Sequence, residues 1–222
     1  MRNAGNFTKA VLALVLCSTL IWTGCSTAWV GQAEEIVAAL IPAATNIVTL
    51  VAALQGKSVS AADMQTIQNA GTQAGADLQL IASLIAAYQK ADAATQPGIL
   101  NQIESAINAV QGSLQGLLPA LHIKDTATQA KITAVIGIVL SEVQSLAAIL
   151  PMVKAGASVQ MAAKVAAQSK TKSPLSASAF VASFNSTLTA KTGNAELDKA
   201  TAGLEIHRHG KVARWISVGM LK

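Results

Sequence analysis

Side chains able to do chemistry are few in this chain of 222 residues, which has two cysteines, three histidines and eleven Asp or Glu. His207 and His209, in the stretch "IHRHG", stand at i and i+2. On a strand that spacing puts both imidazoles on one side, half of a metal site with the third ligand unassigned. The alternative is a pair of solvated residues in a basic stretch, and no metal is assigned. Helical bundles that hold two irons use Glu-x-x-His pairs, and none of Glu34, Glu35, Glu104 or Glu142 has a histidine three residues on. Gln55-Gly56-Lys57-Ser58 has the ending of a phosphate-binding loop, but Val51 stands where the first glycine is needed, so a helix cap and turn is the better reading. There is no Gly-x-Ser-x-Gly elbow. The expectation is a protein that is not an enzyme, with no catalytic residue and no cofactor.

The remaining reactive group is the Cys25 thiol, and its surroundings give it a role. Arg2 and Lys9 flank a polar start, Ala10 to Ile21 is apolar apart from Ser18 and Thr19, and small residues follow. That is the layout of an export signal, with an apolar run of about a dozen residues against roughly 20 for a membrane span. Cys17 lies inside the run and would leave with it, so the exported chain would hold one cysteine and no internal disulfide. Gly24-Cys25, a small residue directly before a cysteine at the end of such a signal, resembles the bacterial prolipoproteins. Trp22 occupies the position where those signals usually carry leucine. The resemblance implies cleavage between Gly24 and Cys25 and lipidation of Cys25. With Ser26 next, it also implies an outer-membrane anchor facing the periplasm. Two alternatives stand beside it: cleavage after Ser26-Thr27-Ala28, giving a soluble secreted protein from Trp29, and an uncleaved inner-membrane anchor.

Charge divides the rest. Residues 1–153 carry six Lys/Arg and eight Asp/Glu, net −2, while 154–222 carry ten and three, net +7. Lys170, Lys172, Lys191, Lys199, Arg208, Lys211, Arg214 and Lys222 are candidates for holding an anionic surface, lipid head groups or a cell-wall polymer. Export argues against nucleic acid. The protein partner is unassigned.

Hydrophobic residues reach 52% with only 3% aromatic, a helix-forming composition. Four seams repeat at alternating steps of three and four. They run Val37-Leu40-Ala44-Ile47-Val51-Leu54, then Met64-Ile67-Gly71-Ala74-Leu78-Ile81-Ile85-Tyr88, then Leu100-Ile103-Ile107-Val110-Leu114-Leu117-Leu121, and finally Ile132-Ile136-Val139-Val143-Leu146-Leu150-Val153. Sustained repeats of this kind need facing helices. Ser60 and Asp63 suit a cap for the second helix, Pro97 the first turn of the third, and Asp125 or Thr126 the start of the fourth. Gly56 suits the end of the first helix, Pro42 and Pro119 should kink their helices, and Pro151 should start a further helix through about Ala167.

Short connections make sequential helices antiparallel, so the expected fold is all-α, an up-down-up-down bundle. Short helices around Phe180-Leu188 and Ala195-Gly203 follow, then a small hairpin of two strands around Gly210. The expected organisation is a signal at 1–24, a bundle at 25–168, a linker at 169–176 and a basic segment at 177–222. Ile36–Leu54 carries no charge and Ile132–Val153 only Glu142, lengths that also suit a bilayer, but lipid requires no heptad repeat. Two functions follow: a lipid-anchored structural or interaction component of the envelope, or a protein that binds an apolar ligand or inserts into membranes.

Overall fold

The computed structural model describes residues 28–55, 59–120, 123–154, 176–209 and 214–217. Four long helices come first: α1 (Ala28–Ala53), α2 (Ala61–Lys90), α3 (Gln96–Ala120) and α4 (Thr126–Lys154). Two short helices, α5 (Ala177–Thr189) and α6 (Ala195–Thr201), precede strands β1 (Ile206–His209) and β2 (Arg214–Ser217). The fold is all-α with a two-stranded antiparallel hairpin at its end.

The caps form where small polar residues precede apolar runs. Ser60 Oγ accepts from the Asp63 N–H and its hydroxyl donates to the Asp63 carboxylate. Asp125 accepts from the N–H of Thr128 at the start of α4, and Asp92 from that of Thr95 before α3. Ser60 and Asp125 each satisfy a backbone donor that a helix start leaves without a partner, while Asp92 closes the turn before α3. Pro42 lies inside a continuous α1 and Pro119 inside the last turn of α3. Pro151 departs from expectation: it does not begin a new helix but sits inside α4, which runs on to Lys154. Within a turn of the helix end, the missing proline N–H costs one bond rather than the helix. Gly56 and residues 155–167 lie outside the described residues.

Every seam residue named above that is described is buried, apart from Val153, which is half-buried. α1 packs on α2 and α4, and α2 and α4 both pack on α3, closing the bundle. α1 is buried well beyond its seam: Trp29, Val30, Ala33, Ile36, Ala39, Ala43, Asn46 and Leu50 are buried too. The cause is a second covering, because α5, α6 and both strands also pack on α1. Phe180, Phe184, Leu188, Leu197, Leu204 and Ile206 join the same apolar core as the bundle.

Gly71 of α2 lies against Val48 of α1. A Cβ at Gly71 would sit 2.2 Å from Val48 Cγ2, whereas one at half-buried Gly75 would meet nothing within 4 Å. Val48 is β-branched and stiff in a helix. Gly71→Ala is therefore expected to destabilise by about 1–3 kcal/mol despite better helix propensity, while Gly75→Ala gains up to about 1 kcal/mol. Thermal melts that also show recovery in Gly71→Ala/Val48→Ala would establish the clash, and a stabilised Gly71→Ala would dismiss it.

Candidate functional site

The direction of the C-terminal hairpin follows from two contacts with α1. The buried Asn46 amide donates to the Leu204 carbonyl, and Arg208 pairs with Glu35 at 3.8 Å. As the chain advances from Leu204 into β1 and Arg208, it passes from the last third of α1 toward the α1 start. Between these points Asn185 of α5 acts as an extra strand, donating to the Ile206 carbonyl and accepting from its N–H, both at 2.8 Å. Opposite partners are Ile206 with Ser217, His207 with Ile216, Arg208 with Trp215 and His209 with Arg214. Ile206 and Arg208 face α1, and His207 lies on the other side, exposed.

At the α1 start, Trp29 is buried at 4% exposure and meets Tyr88 edge-on, centroids 5.3 Å apart. Burial pushes the Tyr88 phenol up, opposed by the Trp29 indole beside it. Gln89 donates to Glu34, and Lys154 at the end of α4 pairs with Glu104. This end of the bundle therefore gathers the start of α1, the turn between α2 and α3, the end of α4 and the hairpin.

The opposite end holds a polar junction. Asn194 caps α6 through Glu196 and Leu197 and donates to Asp125, the cap of α4. Thr192 donates to Asp198 from both its N–H and its hydroxyl. Lys131, only 6% exposed, donates to the Ala190 carbonyl at the end of α5, where a cation suits the helix dipole. Burial pushes the Lys131 ammonium down, Asp198 opposes that, and Lys191 adds to it. Thr128, by hydroxyl and N–H, and then Asn194 hold the Asp125 carboxyl below its usual range. Asp198 is held down first by the Thr192 N–H, then by its hydroxyl and by Lys191 and Lys131.

A depressed carboxyl contributes stability above its unfolded pKa of about 4 and loses it as pH falls through the folded value. Asp125→Asn/Asp198→Asn should therefore flatten the acid side of the stability–pH curve below about pH 5. Urea titrations across that range would read it, and an unaltered acid limb would contradict the assignment.

Among the described residues, the basic candidates lie in two places. Lys191 and Lys199 are exposed on the loop and helix that dock at the α4 start, and Arg208 is exposed toward the α1 start. For Arg214 and His209 the structure describes the strand pairing. Gly24, Cys25, Lys170, Lys172, Lys211 and Lys222 lie outside the described residues. Among the described residues no group of three His, Cys, Asp or Glu is placed to hold a metal. Sequence reasoning missed Lys131, Asn46 and Asn185, the polar groups that fasten the C-terminal segment. Lys131 is the only charge between Asp125 and Glu142, and that isolation within an apolar helix was its signal.

Two helices, Trp29–Ala53 and Thr126–Pro151, are long and apolar enough to cross a membrane, and most of each apolar window is buried inside the fold. Comparison of the chain with family models, with curated proteins and with solved structures returned no match.

Proposed function

We propose that the chain is a bacterial lipoprotein, cut before Cys25 and lipidated there. It holds a non-catalytic helical bundle in the cell envelope as a structural or interaction component. The observation that carries this reading is the export signal ending in Gly24-Cys25, followed within three residues by the first described helix at Ala28. Cleavage there removes nothing from the described fold. The rival cut after Ala28 would start the chain at Trp29, whose side chain is buried, and leave a charged amino group beside the core. Two or three acyl chains hold a domain far more firmly than the marginal binding of one.

The apolar-ligand or membrane-inserting reading receives less support. The space enclosed among the four helices beside Trp29, Ile81, Ile107 and Leu150 is about 10 Å³, room for one water molecule and no more. The test is metabolic labelling with a fatty acid: label is expected on the protein and absent from Cys25→Ala, and equal label in both would end the proposal. Fractionation is expected to place the protein in the outer membrane. Leakage of liposomes by the purified domain would favour insertion instead.

A further inference from the structure

We infer that the groove between α4 and α5, at the polar junction, is a binding site for a small organic carboxylate held by the Lys131 ammonium. The groove opens to solvent and has a volume of about 400 Å³, within the range of small-molecule sites. Ala127, Ala130 and Ala134 form its α4 wall, and Ser186 and Thr187 stand on its α5 wall. Steps of three and four place the three alanines beside Lys131 on one face of α4. A longer side chain at any of them would fill the space.

Lys131 is nine-tenths buried, and among the described residues its one acceptor is the Ala190 carbonyl, although an ammonium has three N–H groups to give. Buried charges are ordinarily paired. The acids at this end are turned to other donors. Asp125 Oδ2 takes the Thr128 N–H and hydroxyl and the Asn194 amide, and Asp198 Oδ1 takes both donors of Thr192. Asp198 and Lys191 act on Lys131 through space with opposite signs. Asp125, Asp198 and Glu196 do not line the groove, and of the residues that do, Lys131 alone is charged. The end of α5 adds about half a negative charge, less than the full charge of the ammonium it meets. An anion entering the groove therefore finds a cation already out of water.

The donor set selects the kind of anion. One ammonium and the hydroxyls of Ser186 and Thr187 suit the two oxygens of a carboxylate, whereas a phosphate brings more oxygens and more charge than they can satisfy. The alanine wall then takes a short apolar body. This site does not depend on lipidation of Cys25, so neither proposal stands or falls with the other.

The test uses the chain from Ser26, which holds every described element, with butyrate as the probe and butyramide as its uncharged counterpart. Binding is followed by the amide resonances of Lys131 and Ala190. Butyrate is expected to bind about tenfold or more tighter than butyramide, the scale of hydrogen bonds to a charged group. Lys131→Met keeps the apolar stem, and should weaken butyrate binding by the same factor and remove the preference over butyramide. Ala130→Leu fills the groove from an exposed position and keeps the charge, so it should also weaken binding at least about fivefold even if Lys131→Met fails to fold. Lys191→Gln should change binding less than about twofold, since an exposed charge is screened. Equal binding of butyramide, unchanged binding in folded Ala130→Leu, or inorganic phosphate binding as tightly as butyrate would overturn the assignment.

Discussion

Phe184→Ala is expected to lower the stability of the whole domain by about 3–5 kcal/mol, the range for removing a buried aromatic ring. Phe184 is fully buried, 5.9 Å from Phe180 between ring centroids, on a helix that packs against both α1 and α4. The loss should therefore appear in α1, outside the helix that carries the substitution. Urea denaturation followed by circular dichroism, with hydrogen exchange read at α1 amides, would show it. If α5 alone loosened while α1 kept its protection, the shared core would be wrong. The same geometry bars a simple test of charge: deleting residues 170–222 removes Phe180, Phe184, Leu197 and Ile206 along with the lysines. Point substitutions are the usable tool.

Ile81→Ala should cost roughly 2–5 kcal/mol, whereas Leu80→Ala, one residue away, should stay within about 0.5 kcal/mol. Ile81 is buried on the α2 seam and Leu80 is 48% exposed. Leu146→Ala on α4 belongs with the first class by the same burial. Equal midpoints for the two neighbours in chemical denaturation would show that the α2 seam does not face the core.

The four long helices were legible because each seam repeats for several turns, and a heptad pattern leaves few alternatives once the loops are short. Caps at Ser60 and Asp125 were legible for the same local reason. The burial of α1 beyond its seam was not. A seam count reports one face, and the coverings of the other faces come from residues 177–217, whose contacts no local rule predicts. Pro151 was misjudged because a proline near a helix end and a proline opening a new helix look alike in sequence. Of the basic candidates, Lys191, Lys199 and Arg208 are exposed. Their division between two ends depended on how the C-terminal segment runs along α1, which charge counting cannot see.

The Asn46 amide and the Leu204 carbonyl are 158 positions apart. Loops of that length close slowly relative to the contacts within a helical hairpin, so α2–α3 and α3–α4 can form early while α1 waits for its last neighbours. Synthesis proceeds in the opposite order to need, since α1 is among the first segments made and its cover is among the last. Until residues 177–209 arrive, the face built from Ala39, Ala43, Asn46 and Leu50 is a standing hazard for self-association. A chain halted before Phe180 is therefore an aggregation-prone species rather than a smaller version of the native protein, and any helper that protects it must act on α1.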